Sequence, residues 1–544
     1  MKIGIDFDNT IAKYDELFVH VAASECMIDG TREDYDKVHL RDYLRSQKNG
    51  EHVWMKLQGL VYGRYMAKAE MMPGFSRFIF RCKYYGHKIY IVSHKTKYGH
   101  FDAEKVSLRS EALKWMYNRR FFDASYFDIC EDDVYFADTR KEKIKQISNL
   151  GCDYFIDDLP ELFIEDSFPK SIHKILFCNN GKAIHNLDVD ITSDWQGISH
   201  YMFGNITPED IQQWFVLNID VDLVSVNKLH RGGNSNVFHV ISNEGREYAV
   251  KAYSSRLCDQ RYRLATEYNA IRFLQSHGIH NIPQPICSDD LLDLGVYKWI
   301  SGDQIDIPSV KKLKQIIRFV QKLYAVSKSL KIEYIENATE ACLSADAIVI
   351  QVEQRLQKLL DVSFNNVDLH MFLKDRFEPL WHKVLEQCYD CWPHSSISNE
   401  LNKEYQILSP SDLGFHNVID HGDTMSFVDF EYFGWDDPVK MTADFLWHPA
   451  MHLDEVQSIL WEESMIKLFD DDPDFVRRLH AAKPLYGMRW SMIVLKKFVE
   501  FSNIYTDVYN IEDQQIKEQL DLQLTKAQYY CDVVTESIQE PLVI

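Results

Sequence analysis

The sequence has no uninterrupted hydrophobic run long enough to cross a bilayer. The most apolar late stretch, PLYGMRWSMIVLKKF, contains Arg489, Lys496 and Lys497, and it predicts a core helix rather than a membrane span. Glycine/serine-rich tracts, proline-rich tracts and internal repeats are also missing, which disfavours flexible linkers and repeat architectures. No signal peptide is expected, because an apolar strand begins almost at Met1. These absences favour a folded protein without a membrane partner.

Positive charge is scarce relative to negative charge. The chain has 60 Lys and Arg against 82 Asp and Glu, a formal net charge of −22. Such a surface repels nucleic acid phosphates, so no nucleic acid partner is expected. The 11 cysteines are scattered, and Cys388 and Cys391 lack a second ligand pair for zinc. We therefore expect reduced thiols and a cytoplasmic location. At 544 residues, the chain is also too long for one ordinary core, and several domains are expected.

The first half alternates short apolar runs with helical segments. The runs are KIGIDF, HKIYIVSHKT, DVYFAD, CDYFIDDLPE and IHKILFCNN. This alternation predicts an α/β fold with a doubly wound parallel sheet. Ligands bind at the carboxyl ends of the strands in such sheets. The polar residues at these ends are Asp6, Asp8, Ser93, Asp157 and Asp158.

Two carboxylates at the end of the first strand suggest phosphoryl chemistry. Asp6 can attack a phosphoryl group as a nucleophile, and Asp8 can protonate the leaving oxygen. Clustered carboxylates repel one another unless a hard cation such as Mg²⁺ neutralises them. A lysine and a hydroxyl are then needed for the phosphate oxygens.

These residues resemble the haloacid dehalogenase (HAD) superfamily of phosphatases. Its motifs match D-x-D-x-T at residues 6–10, Ser93 at a strand end, and FIDD at residues 155–158. The resemblance covers residues 1–205 and implies a small helical cap at about 12–72. Lys143 best fits the family lysine by its spacing from Leu150-Gly151, with Lys141 as the alternative. The resemblance implies the catalytic residues Asp6, Asp8, Ser93 and Lys143, and Mg²⁺ ligands at Asp6, Asp8 and Asp157. A Rossmann-like domain with surface acids and a decayed site are the competing interpretations.

The second half changes to period-two strands after a connector helix at 206–219, with Thr207 as its predicted N-cap. A glycine-rich turn lies between two of these strands, and Lys251 ends a third. Such a turn and a strand lysine can bind nucleotide phosphates. Glu267, on the following helix, could pair with Lys251, and Trp299 follows an apolar strand suited to an adenine edge. The turn comprises Gly232, Gly233, Asn234, Ser235 and Asn236.

Asp412, Asn417 and Asp429 have the order of a phosphoryl-transfer site. One aspartate orients the acceptor hydroxyl, and the asparagine and second aspartate hold Mg²⁺. These residues resemble the aminoglycoside phosphotransferase and choline kinase group, which implies ATP binding and a bilobal protein-kinase-like α+β domain at 220–544. Its N-lobe would span about 220–302 and its C-lobe about 303–544. Four positions bear on the match to the family pattern: Ser409 stands where His is common, Ser411 replaces Gly, Met441 stands where Asp is often found, and Asp444 could compensate. Taken singly, Lys251 could be a surface lysine and Asp429 a turn residue.

The sequence therefore predicts a bifunctional enzyme, a small-molecule phosphatase joined to an ATP-dependent kinase, with Mg²⁺ in both halves. Its partners would be a phosphorylated metabolite and an alcohol acceptor. The preferred setting is sugar or amino-sugar metabolism, for example the synthesis of cell-surface polysaccharide precursors. A switch controlling one metabolite, an antibiotic-type phosphotransferase and a non-catalytic sensor domain remain alternatives. Both substrates and the oligomeric state stay unidentified.

Overall fold

A computed structural model describes residues 1–28, 36–101, 104–178, 189–219, 221–229, 235–254, 261–290, 292–305, 307–329, 335–364, 366–502 and 514–539. The chain forms two compact units. The first comprises Met1–Gln260 and Asp289–Leu294, and the second comprises Arg261–Ser288 and Gly295–Ile544. Within the described ranges, no helix combines the length and the hydropathy that a bilayer crossing needs.

A six-stranded parallel sheet forms the centre of the first unit. The predicted parallel sheet is confirmed, and its first strand is central, with Ile3 opposite Ile89 on one side and Tyr154 on the other. The last strand, Asp190–Thr192, was not predicted, because three residues with an exposed Ile191 carry no apolar periodicity. In spatial order the strands are Val134–Ala137, Lys88–His94, Lys2–Ile5, Tyr154–Asp157, His173–Phe177 and Asp190–Thr192.

Helices flank this sheet. Helix Arg140–Leu150 begins after the predicted N-cap Thr139, whose hydroxyl accepts a hydrogen bond from the backbone N–H of Glu142 at 3.2 Å. Its Ile144 and Ile147 belong to the same buried core cluster as strand residues of the sheet. This packing fixes the first helical turn, which carries the predicted catalytic lysine. The other flanking helices are Phe75–Tyr84, Leu108–Asn118, Pro160–Ile164 and Trp195–Phe203.

The predicted cap segment leaves and re-enters the α/β body at one place. The short strands Ala12–Lys13 and Glu70–Met71 pair in antiparallel fashion at its two ends. Residues 29–35 lie outside the described residues, and the role of the segment as a cap stays a prediction. Between the two strands lie the helices Asp15–Ser24, Lys37–Ser46 and Gly50–Tyr62 and the 3-10 turn Met66–Lys68.

The remainder of the first unit is a helix followed by an antiparallel meander. Thr207 and Asp210 form a reciprocal capping box at the start of helix Pro208–Asn218. Asp210 is also buried against Arg81 of the α/β body, at 3.2 Å, and the rings of Phe215 and Tyr248 meet at 5.4 Å. These contacts group the meander with the first unit, whereas the sequence assigned it to a domain at 220–544. The predicted domain boundaries stay predictions. The meander strands are Leu223–Leu229, Asn236–Ser242 and Glu247–Ala252.

The second unit is mainly helical. Two short antiparallel pairs, Ile407–Ser409 with Gly434–Asp436 and Val418–Asp420 with Met425–Phe427, carry the loops of the candidate site. Gly434 must be glycine, since a Cβ there would lie 2.4 Å from the backbone nitrogen of Ala338. Strands Pro285–Asp289 and Leu294–Lys298 belong to this unit except for Asp289 and Leu294, which are assigned to the first unit. The helices are Arg263–Ser276, Val310–Ser329, Ala345–Ser363, Val367–Met371, Glu378–Cys391, Pro438–Trp447, Glu455–Leu468, Phe475–Val494, Lys496–Ser502 and Gln514–Gln539, with a π-helical turn at Phe372–Phe377.

Candidate active sites

Lys143 bridges two carboxylates at the ends of adjacent strands. Its Nζ donates to Oδ1 of Asp6 at 2.5 Å and to Oδ2 of Asp157 at 2.6 Å, and all three side chains are buried. Lys141, the alternative from sequence, is exposed. The structure therefore brings Lys143, and not Lys141, to the end of the first strand.

Asp8 has two partners that the sequence did not indicate. Lys95 donates from Nζ to Oδ1 of Asp8 at 2.9 Å, and the hydroxyl of Tyr14 donates to the same oxygen at 2.6 Å. Lys95 is buried, with its ammonium over the ring of Tyr62 at 4.9 Å. Since Tyr14 and Tyr62 come from the segment at 12–72, that segment helps to enclose Asp8.

The loop after the first strand also places Asn9 beside the fourth acidic residue. Asn9 has a left-handed backbone, with φ 58°, which asparagine tolerates better than most residues. Its Nδ2 donates to Oδ2 of Asp158 at 3.2 Å, and its Oδ1 accepts from Nζ of Lys37 at 2.8 Å. Lys37 begins a helix of the predicted cap, so a second cation from that segment reaches the site.

Two buried hydroxyls near these carboxylates have no hydrogen-bond partner within the described part of the chain. They are Oγ of Ser93, at the end of the second strand, and Oγ1 of Thr10. A buried polar atom without a partner is costly, and a ligand oxygen at this position would satisfy it. Ser93 lies near the end of strand Lys88–His94, and its role as a phosphate-binding hydroxyl stays a prediction.

Burial dominates the electrostatics of this cluster. It raises the pKa of Asp6 well above its ordinary value, against the opposing charge of Lys143. Burial, and then the charge of Asp157, raises the pKa of Asp158 to about 7. The charges of Asp157 and Asp6 outweigh the effect of burial on Lys143 and raise its pKa, so this lysine stays protonated.

The donor set fits a hard cation. Carboxylate oxygens of Asp6, Asp157 and Asp158 lie within 4.8 Å of one another. Oxygen ligands at the ends of two strands suit Mg²⁺. Asp8, which the sequence also assigned to the metal, lies outside this group of three and contacts Lys95 and Tyr14 instead.

In the second unit, Asp412 is hydrogen-bonded from two directions. Nδ2 of Asn417 donates to the backbone oxygen of Asp412 at 2.9 Å and to Oδ2 of Asp412 at 3.3 Å. Nε2 of His416 lies 3.1 Å from Oδ1 of Asp412. Burial alone would raise the pKa of Asp412, but the hydrogen bond and charge of His416 outweigh it and lower the pKa to about 2. The carboxylate is therefore ionised and held in a fixed orientation.

His448 stacks on His416 beside the same carboxylate. The two rings are parallel within 2°, with centroids 4.2 Å apart, and Nε2 of His448 lies 3.9 Å from Oδ1 of Asp412. Nδ1 of His448 accepts from the N–H of Ala450 at 3.1 Å, so a neutral His448 carries its proton on Nε2, toward Asp412. Burial lowers the pKa of His448 to about 4.

Ser411 and Asp429 both have left-handed backbones, with φ 66° and 70°. Ser411 occupies the position where the resemblance expects glycine, and its Oγ accepts from Nζ of Lys440 at 2.8 Å. Asp429 follows Val428, whose N–H donates to the backbone oxygen of Asn417 at 3.0 Å. Asp429 is a predicted metal ligand and Ser411 precedes the predicted catalytic Asp412, and strained backbone of this kind is common at functional sites.

Asp429 lies in a second group of acidic residues. Its carboxylate and those of Glu267 and Glu431 offer oxygens within 4.8 Å of one another. Oδ1 of Asn417 is also available as a ligand, because its Nδ2 makes both of its side-chain hydrogen bonds within the described residues. Such oxygens suit Mg²⁺, and the assignment of Asn417 and Asp429 as its ligands stays a prediction.

The structure describes only some of the predicted nucleotide-binding residues. Gly232, Gly233 and Asn234 lie outside the described residues, while Ser235 precedes the meander strand that begins at Asn236. Lys251 lies in the first unit and Glu267 in the second, so their pairing stays a prediction. Trp299 lines a cavity of about 520 Å³ in the second unit, together with Lys298, His280 and His421.

A protein-family model matches a large part of the second half of the chain. Residues 227–479 match the model of the phosphotransferase enzyme family APH. This range contains Lys251, Asp412, Asn417 and Asp429. The second half of the chain is therefore phosphotransferase-like.

The first half has a distant curated relative. An alignment of 183 residues with a putative nucleotidase of Oceanobacillus iheyensis is 21% identical and covers 32% of this chain and 85% of that protein.

Solved structures also resemble this chain. A spectinomycin phosphotransferase in complex with ADP and spectinomycin is 11% identical with a TM-score of 0.42, covering 62% of this chain and 99% of its own. A choline/ethanolamine kinase family protein from Mesorhizobium loti is 16% identical with a TM-score of 0.37, covering 56% and 87%.

Proposed function

We propose that this chain carries two enzymes, a small-molecule phosphatase in the first half and an ATP-dependent kinase in the second. The observation that carries the proposal is the convergence of Asp6, Lys143 and Asp157 at adjacent strand ends, in a chain whose residues 227–479 match a phosphotransferase family. The phosphatase would be of the HAD type. Its substrate and the kinase acceptor would be small phosphorylated and free polyols, such as sugars.

In the first site, Asp6 would attack the phosphorus of a phosphate monoester and form an aspartyl-phosphate, while the ester bond to the leaving oxygen breaks. Asp8 would give that oxygen a proton and then take one from the water that hydrolyses the aspartyl-phosphate. Lys143 and the hydroxyl of Ser93 would bind the phosphoryl oxygens. Lys95 and Tyr14 hold Asp8 in one orientation between these two steps.

In the second site, Asp412 would orient the acceptor hydroxyl and take its proton as that oxygen attacks the γ-phosphorus of ATP, while the bond from that phosphorus to the bridging oxygen breaks and ADP leaves. His416 and Asn417 fix the carboxylate from its two sides. From the sequence, Lys251 and the turn at 232–236 are predicted to bind the nucleotide phosphates. Trp299 would border the adenine.

Mg²⁺ fits the oxygen donors of both sites. Asp6 and Asp157 would hold it in the first, and Asn417 and Asp429 in the second. When bound, the ion neutralises the negative charge of the phosphate. Without the ion, the clustered carboxylates would repel the phosphate.

Two assays on the full chain test the proposal. Phosphate release is measured from a panel of phosphorylated sugars and nucleotides, and ATP consumption is measured with the corresponding alcohols. Both reactions should require Mg²⁺ and stop in excess chelator. Undiminished turnover of either reaction in chelator would contradict the assignment of that site.

A further inference from the structure

A cavity of about 320 Å³ opens beside Asp412 in the second unit. Helices Pro438–Trp447 and Phe475–Val494 contribute Lys440, Asp444, Arg489 and Trp490 to its wall. If the second half is a kinase, as proposed above, the acceptor hydroxyl must reach Asp412 from such a cavity. The charges of the wall then decide which acceptors it takes.

Arg489 contributes to this wall and is almost fully buried. Its Nη2 donates to Oε2 of Glu340 at 2.7 Å, and its Nη1 donates to Oδ1 and Oδ2 of Asp444 at 3.0 and 3.3 Å. The Nε completes the set with Oε1 of Gln351 at 2.9 Å. One guanidinium therefore neutralises two acids that line the cavity.

Two further cations strengthen this neutralisation. Arg355 donates from Nη2 to Oε2 of Glu340 at 2.7 Å, the same oxygen that Arg489 contacts. Lys440 lies 3.5 Å from Asp444 and 2.9 Å from the buried Asp436. Four acids (Glu340, Asp412, Asp436 and Asp444) thus face three cations (Arg355, Lys440 and Arg489). Among the residues that the structure describes, Asp412 is the member of this group that contacts histidines rather than lysine or arginine.

Trp490 adds an apolar surface to the wall. Its Nε1 donates to Oδ1 of Asp444 at 2.9 Å, and its ring meets His448 edge-on at 4.7 Å. These contacts fix the indole. A rigid aromatic face beside paired carboxylates and guanidinium groups offers stacking together with fixed donors and acceptors. That combination suits the C–H face and hydroxyl groups of a sugar ring.

The same wall disfavours a polycationic acceptor. An ammonium group that leaves water needs an unneutralised carboxylate in exchange. Here Glu340 and Asp444 already have arginine and lysine partners, Asp412 would be taken up by the acceptor hydroxyl, and Arg489 and Lys440 would repel a further cation. Discrimination by built-in repulsion of this kind is a usual source of specificity.

We propose that the acceptor of the kinase is an uncharged polyhydroxy compound, bound against Trp490 and the Glu340–Arg489–Asp444 group, and that this group excludes amine-bearing acceptors. The inference rests on the proposed kinase function. It separates the sugar alternative from the amino-sugar and aminoglycoside alternatives.

The test compares matched pairs of acceptors on the full chain. Each pair consists of a neutral sugar and the amino sugar in which one hydroxyl is replaced by an ammonium group. We expect kcat/KM for the neutral member to exceed that for the amino member by about tenfold or more. Equal or reversed preference, or no turnover of any neutral polyol, would overturn the inference.

Slow hydrolysis of ATP in the absence of an acceptor distinguishes a wrong acceptor class from a wrong kinase assignment. If that hydrolysis persists and disappears in Asp429→Asn while neutral polyols are rejected, phosphotransfer stands and only the acceptor class is wrong. If hydrolysis and all acceptor turnover are absent, the kinase proposal fails as well.

Two variants test the role of the cations. Arg489→Gln removes one cationic partner from each of Glu340 and Asp444 and should shift the amino-to-neutral ratio of kcat/KM upward by about tenfold. Arg355→Gln is milder, because it removes one of the two arginine partners of Glu340, and should shift the ratio in the same direction by about threefold. Arg355→Gln keeps the test decisive if Arg489→Gln does not fold.

Arg477→Gln is the control and should leave the ratio unchanged. Arg477 lies on the same helix as Arg489 but donates to the carbonyl of Cys391. An unchanged ratio in Arg355→Gln would count against the proposal.

Discussion

The ammonium group of Lys95 lies 2.9 Å from Oδ1 of Asp8, buried between the rings of Phe7 and Tyr62. The proposed acid/base of the phosphatase is therefore held by a cation that belongs to none of the motifs recognised in the sequence. A carboxylate held in one orientation transfers a proton along one direction only. Lys95 therefore affects the proton-transfer steps through the orientation of Asp8.

Lys95→Met should lower kcat for phosphate release by about 10- to 100-fold, because Asp8 loses its charged partner and its orientation. KM should change much less. Lys95→Arg should recover part of the rate, since it restores a charged donor. Steady-state kinetics on a phosphate monoester checks this, with the exposed Lys97→Met as control. Wild-type kcat in Lys95→Met would show that Asp8 does not depend on this contact.

Lys143→Met should abolish phosphate release and lower stability by about 3 kcal/mol, because Asp6 and Asp157 are left buried without their cation. The exposed Lys141→Met should change the free energy of unfolding by less than about 0.5 kcal/mol and leave the rate intact. Thermal unfolding and phosphate release of both variants decide between the two lysines. A larger loss of activity in Lys141→Met would reverse the assignment.

His448 should make the second unit less stable in mild acid. Its pKa in the folded protein is about 4, below the ordinary histidine value. Between about pH 6.5 and pH 4 the unfolded chain binds a proton that the folded chain does not, so stability falls as pH falls through this window, by about 3 kcal/mol at most.

His448→Asn should flatten the pH dependence of the unfolding midpoint across this window, because the asparagine does not titrate. The exposed His382→Asn is the matched control and should follow the wild-type curve. Parallel curves for His448→Asn and the wild type would show that another group causes the acid sensitivity.

Ser411→Gly and Ser411→Ala separate backbone strain from the hydrogen bond with Lys440. Both lose the Oγ contact at 2.8 Å, but only glycine relieves the left-handed backbone at φ 66°. The alanine variant should therefore be less stable than the glycine variant by about 1 kcal/mol. A lower unfolding midpoint for Ser411→Gly than for Ser411→Ala would contradict the strain argument.

Local sequence pattern predicted the parallel sheet and the helix that carries Lys143. An apolar run that ends in acidic residues is a local signal for the end of a strand. Thr139 and Leu150-Gly151 mark the two ends of one helix. The three-residue strand Asp190–Thr192 has no such signal. Its pairing with His173–Phe177 depends on tertiary packing.

Sequence pattern did not reveal most side-chain contacts between residues that are far apart in the sequence. Lys95 lies two positions after Ser93, so alternation along the strand could have placed both on one face. His448 and Arg489 offered no comparable signal, because their partners are 36 and 149 residues away in sequence. Pairing of that kind depends on how helices pack in the second unit.

The central claim is that each half of the chain has its own catalytic carboxylate. The most direct test assays Asp6→Asn and Asp412→Asn in both reactions, release of phosphate from p-nitrophenyl phosphate and ATP-dependent phosphorylation of a neutral polyol. Asp6→Asn should lower phosphate release by at least about a thousandfold and leave phosphorylation unchanged, and Asp412→Asn should do the reverse. Loss of both reactions in either variant, or of neither reaction, would contradict the account.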